Sequence, residues 1–175
     1  MINSVYIQVK LMSNKMKLYF RIIVLTITVL LTSCDDSTEH IDLQAADLHD
    51  AMQHLTDVIV HDIFSPPVAS RIYAYPSIAA YEILASQDST YLTLAGQLHE
   101  LESIPVSTES INHDVAAIQA FFTVGKALIF SEEKVDEYIQ KWHEELLSKG
   151  ISQNQLDRSI EYAQMVSDHI MDCFL

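Results

Sequence analysis

The chain has 175 residues, 49% of them hydrophobic, and its 24 Asp and Glu against 10 Lys and Arg give a net charge of −14. That is enough chain to bury one sizeable core, and the acidity excludes nucleic acid as a partner, since binding it rests on neutralising phosphates with Lys and Arg. Two cysteines, Cys34 and Cys173, exclude a disulfide framework.

Lys10, Lys15, Lys17 and Arg21 precede an uncharged run over 22–31, which closes on Leu31-Thr32-Ser33-Cys34. Basic, apolar and small-residue regions in that order make a secretory leader. The run is too short for a permanent membrane helix, which needs ~20 residues. Leu-Thr-Ser-Cys fits a lipoprotein cleavage box, in which the Cys34 thiol is acylated and opens the mature protein. The expected organisation is a leader over 1–33, a flexible tether over 34–40 and a helical domain over 41–175, with Met16 as a second candidate start. All 24 acidic residues follow Cys34, opposed only by Arg71, Lys126, Lys134, Lys141, Lys149 and Arg158. That charge repels an anionic lipid surface, so attachment to the membrane is expected through lipid on Cys34, in the bacterial cell envelope. Cys173 then reads as a small buried apolar residue.

Three glycines and four prolines in the whole chain favour helices over tight turns. Over 41–64, Leu48, Leu55, Val58, Ile59 and Ile63 recur at helical spacing and predict a first helix. Ser65-Pro66-Pro67 ends it and starts a second over 66–86, with a kink or break near Tyr75 because Pro76 removes a backbone donor. Residues 87–90 read as a turn, 92–101 as a short helical piece and 102–110 as a loop. Two adjacent stripes, Val115, Ile118, Phe122, Ile129 and Ala117, Phe121, Val124, Leu128, predict a largely buried helix. Ser131 caps the next, with Val135, Tyr138, Ile139, Trp142 and Leu146 as its core face and Lys149-Gly150 as its end. Ser152 with Gln155 makes a capping box for the last, whose Leu156, Ile160, Ala163, Val166 and Ile170 face inward. The fold class is all-α, a helical bundle.

One stretch is more particular than composition would produce: His-Asp-Ile-Phe-Ser-Pro-Pro-Val-Ala-Ser-Arg-Ile-Tyr-Ala-Tyr-Pro-Ser-Ile-Ala-Ala-Tyr-Glu, from His61 to Glu82. It resembles a segment near the amino terminus of bacterial lipoproteins related to vanadium-dependent haloperoxidases, in the type-2 phosphatidic acid phosphatase superfamily. The resemblance continues to about Ile170 and implies a helical fold. For full-length relatives it implies vanadate with hydrogen peroxide and halide, or hydrolysis of a phosphate ester. In that superfamily the oxyanion pocket is built in the carboxy-terminal half from Lys with Arg-Pro a few residues on, Pro-Ser-Gly-His, and Ser-Arg with a distal His. None of these is present: Ile72 follows Arg71, Ile78-Ala79 follows Pro76-Ser77, and Ser70-Arg71 has no His in reach. The expectation is an amino-terminal helical part that is silent alone, with no catalytic, cofactor or metal residue assigned and vanadate implied only for the full-length relatives. Its expected partners are a carboxy-terminal half or a second copy. The rival reading is a stand-alone binding or scaffold lipoprotein.

Two constellations remain. His49, Asp50, His54, Asp57 and His61 carry i, i+4 spacings that can place two ligands on one ion. An acidic helix with scattered His is more commonly a solvated face, and metal sites usually draw on more than one element, so no metal is assigned. Arg71 stands in an apolar, Tyr-rich helix, which predicts a structural ion pair with Asp62 or Glu82.

Overall fold

The computed structural model describes residues 43–174 together with Tyr19. The leader, the tether and Cys34 lie outside the described residues. Within them the chain forms five helices and no strand: α1 (Ala45–His61), α2 (Pro66–Ala85), α3 (His113–Lys126), α4 (Glu132–Ser148) and α5 (Gln153–Phe174). The all-α expectation holds. No helix among the described residues is long and apolar enough to cross a membrane.

α1 opens where the Asp47 carboxylate accepts the Gln44 N–H at 2.7 Å, which satisfies one orphan donor of the first turn. Ala51, Leu55, Val58 and Ile59 face inward. The helix stops three residues before its predicted end. Ile63 takes a φ of 59°, its N–H bonds to Val60 O at 3.2 Å, and the Phe64 N–H bonds to Ile59 O at 3.3 Å. This is the left-handed termination that glycine ordinarily supplies, here made by a β-branched residue at a cost of ~1–3 kcal/mol. Ile63, expected in the core, is 87% exposed.

In α2 the predicted break at Pro76 does not occur: the helix runs unbroken from Pro66 to Ala85. Ile72, Pro76, Ala79, Ala80 and Ile83 form one buried stripe, and burying it against α3 requires the helix to continue past the lost donor. The approach is close. A Cβ on Gly125 of α3 would stand 3.1 Å from Leu55 Cδ2 and 3.6 Å from Pro76 Cγ, so glycine lets α1 and α2 meet α3 at one point. Ser65 occupies the cap position, but its hydroxyl makes no capping bond.

The predicted helical piece over 92–101 is instead a set of turns. The Leu94 carbonyl accepts from Gln97 and Leu98, but Gly96 and Glu100 have φ of 72° and 65° and stop any helix after one turn. α3 then starts at a cap that the sequence reading missed. Asn112 is fully buried, its side chain accepts the Val115 N–H at 3.0 Å, and its own N–H donates to Ser159 Oγ on α5 at 2.9 Å.

α3 is buried on nearly every face from Val115 to Phe122 and touches all four other helices, most extensively α2 and α5. It ends at Lys126, and Ile129 is buried from the turn that follows. The α5 face against it is built on small residues, Ser159, Ala163 and Ser167, all fully buried. Ser167 satisfies its hydroxyl on Ala163 O at 2.7 Å. The capping box at the start of α5 is half made. The Gln155 N–H reaches Ser152 Oγ at 3.2 Å, but Gln155 Oε1 is buried without a partner among the described residues.

Candidate functional site

The run from His61 to Glu82 covers the end of α1, the Ser-Pro-Pro turn and most of α2, and it is bracketed by two carboxyl groups that each capture another part of the chain. Asp62 Oδ2 accepts the Phe130 N–H at 2.9 Å and the Ser131 N–H at 3.0 Å, and Oδ1 accepts the Ser131 hydroxyl at 2.5 Å. Burial pushes the Asp62 carboxyl up, but the Ser131 and Phe130 donors and the His61 charge outweigh it and hold it below the usual carboxylate range. Ser131 thus heads α4 as expected, while its hydroxyl, which was expected to cap the helix, is spent on Asp62.

At the other end, Glu82 is only 2% exposed. It accepts the Thr93 hydroxyl at 2.5 Å and the Leu94 N–H at 2.6 Å, which pins the loop leaving α2. The tyrosines between are likewise engaged. Tyr73 donates to Thr56 Oγ1 at 3.0 Å, Tyr81 donates to Leu92 O at 2.8 Å, and Tyr75 stacks on Phe174 with centroids 5.1 Å apart. Every one of these groups ties α2 to a neighbour.

The His and Asp residues of α1 do not assemble. His49 and His61 are exposed. His54 turns toward α4, with Nε2 3.0 Å from Lys134 O and its ring stacked 4.4 Å from Tyr138. Asp57 accepts from Gln53 at 2.9 Å. Among the described residues no three His, Cys, Asp or Glu side chains gather as metal ligands.

Arg71 overturns its prediction. It is exposed and makes no salt bridge among the described residues. The α2 register explains this: with Ile72, Pro76 and Ala79 inward, position 71 falls on the outer face. The carboxyl groups assigned to it bind backbone and hydroxyl donors instead.

Polar residues overlooked in the sequence include Asn112 and the pair Gln119 and His143. His143 Nε2 lies 2.9 Å from Gln119 Oε1, and burial pushes this imidazole down against a smaller opposing effect from Asp157. A lone Gln within the Ala- and Phe-rich α3 was the available signal. Two clefts are found among the described residues. One of about 210 Å³ is lined by Leu43, Leu48, Leu84 and Ile118, and one of about 130 Å³ by Glu109, Arg158, Glu161 and Tyr162. The second also holds Ser107 and Thr108, and the Ser107 hydroxyl there is bonded to the Glu109 backbone and not to a carboxylate.

No protein-family model matches the chain, and no curated protein matches it either. A solved bacterial vanadium-dependent iodoperoxidase does, with 38% sequence identity and a TM-score of 0.72 over 78% of this chain and 33% of that one. The chain therefore spans about a third of the length of that protein. An identity of 38% exceeds what shared architecture alone supports, and over the region matched this chain is haloperoxidase-like.

Proposed function

We propose that this is a lipid-anchored envelope protein that supplies the amino-terminal helical scaffold of a haloperoxidase-like or phosphatidic acid phosphatase-like protein, and that by itself it binds no vanadate and turns nothing over. The observation that carries the reading is the 38% identity to the iodoperoxidase over 78% of this chain, set beside a sequence without Arg-Pro, Pro-Ser-Gly-His or a Ser-Arg with a distal His. The cations after Cys34 support it. An oxyanion such as vanadate is held by convergent Lys, Arg, His and backbone donors. Here Arg71 points to solvent, Lys126 is paired with Asp136 at 2.7 Å, Lys149 with Glu145 at 2.7 Å, and Arg158 donates to Ser110 O at 2.9 Å. Four of the six cations that follow Cys34 are thus exposed or engaged elsewhere, and the motifs that build an oxyanion pocket are absent.

The test uses chain extracted from membranes. Mass spectrometry of its amino terminus is expected to find an acylated Cys34; an unmodified Cys34 inside an intact chain would defeat the anchoring. Calorimetric titration with vanadate, and assays with iodide and peroxide and with para-nitrophenyl phosphate, are expected to match a heat-killed control. Stoichiometric vanadate binding would overturn the silent-scaffold reading.

A further inference from the structure

The cleft of about 210 Å³ opens at the residues with which the continuous described chain begins. Its walls are mostly apolar, formed by the half-buried Leu43, Leu48 and Leu84 and the buried Ile118, and its polar members are Gln44 and Asp114. Leu43 and Leu48 hold the two positions of a hydrophobic staple, one just before the cap residue Gln44 and one at the fourth helical residue of α1. Gln44 is extended, with φ of −95° and ψ of 159°, and its N–H is held by the Asp47 carboxylate at 2.7 Å. The direction in which the chain reaches α1 is thereby fixed, and at Leu43 the chain already forms part of the cleft wall.

The segment before Leu43 lies outside the described residues, but its sequence bears on what the cleft can hold. From Asp35 to Asp42 the chain reads Asp-Asp-Ser-Thr-Glu-His-Ile-Asp, in which Ile41 is the one apolar side chain. Two residues of chain span at most about 7 Å, so Ile41 cannot be far from Leu43. Side chains two apart on an extended chain share a face, so an extended approach to Gln44 would set Ile41 on the side of Leu43. Size favours a side chain over a separate ligand. An apolar cavity of about 150 Å³ takes one benzene molecule, and pockets for larger ligands begin at about 300 Å³. Joined by so short a link, Ile41 also competes at an effective concentration on the order of millimolar.

We infer that Ile41 seats in this cleft, extending the Leu43–Leu48 staple onto Leu84 and Ile118 and fastening the start of α1 to α2 and α3. The free part of the tether is then 34–40 and no longer. With lipid on Cys34, those seven residues would hold the helical domain within about 25 Å of the membrane surface. That consequence rests on the proposed acylation of Cys34; the seating of Ile41 does not, and its test reads it without reference to the anchor.

Limited proteolysis of the full chain tests the inference, with a peptidase that cuts on the amino side of aspartate. Asp36 and Asp42 both lie before α1, so one serves as the control for the other. In the wild type the bond before Asp42 should be cut more slowly than the bond before Asp36 by about tenfold or more, because cutting it requires Ile41 to leave the cleft. Ile41→Ser should remove that protection. Leu84→Asp, which leaves the cleavage sequence untouched, should remove it as well, and the smaller Leu84→Ala should remove part of it. The double variant Ile41→Ser with Leu84→Asp should be cut no faster than either single one, since both break the same contact. Equal cutting before Asp42 and Asp36 in the wild type would overturn the proposal, as would protection that both Leu84 variants leave intact. Protection lost on Cys34→Ala alone would give the cleft to the lipid and overturn it too.

Discussion

Glu82→Ala is expected to lower the stability of the fold by about 3–4 kcal/mol, read as a drop in the urea midpoint at unchanged slope. The side chain is 2% exposed and serves two donors, the Thr93 hydroxyl and the Leu94 N–H. Truncation leaves both without their acceptor and opens a void between α2 and the loop. Leaving a buried donor unsatisfied costs about 1–3 kcal/mol, and the lost volume adds to it. Glu82→Gln, which keeps one carbonyl oxygen and the volume, should recover about half. Equal losses for Ala and Gln would show that the carboxylate charge, and not its two acceptor oxygens, is what the site needs.

Phe122→Ala should cost about as much, on the order of 3–5 kcal/mol, for a different reason. Phe122 is fully buried where three helices meet. Its ring lies 5.7 Å from Phe121, 5.1 Å from Tyr138 on α4 and 6.4 Å from His54 on α1. Removing it takes away apolar area and also the surface against which the His54–Tyr138 stack is set. Combined with Tyr138→Ala, the loss should therefore fall short of the sum of the two single losses, because contacting residues share their interaction energy. Strict additivity in thermal or urea denaturation would contradict this placement.

The helices themselves were legible in the sequence because burial imposes a period. Leu55, Val58 and Ile59 on α1, and Leu156, Ala163, Val166 and Ile170 on α5, repeat as a 3.6-residue turn demands, and all are buried. What was not legible depends on distant partners. Nothing near Arg71 in sequence shows that Asp62 is used by Ser131, 69 residues on, or that Glu82 is used by Thr93 and Leu94. Ile63 fits the apolar period, and only the left-handed turn after Asp62 takes it out of the core. Pro76 misled in the opposite direction, because a local rule was overridden by packing on Gly125. The Asn112 cap was missed because its other partner, Ser159, belongs to another helix.

The two carboxyl clamps change how the connecting segments should be regarded. Irregular chain between helices ordinarily exchanges its amide protons first, through small local openings. Here Leu94 N–H is bonded to a buried glutamate side chain, and Phe130 and Ser131 N–H to one aspartate that also ends α1. Releasing the Leu94 proton requires Glu82 to leave the interior, and releasing the other two loosens the end of α1. In deuterium exchange these three loop amides should therefore rank with the helices, while the neighbouring loop positions exchange freely, and the segments around 94 and 130 open only together with the core they are fastened to.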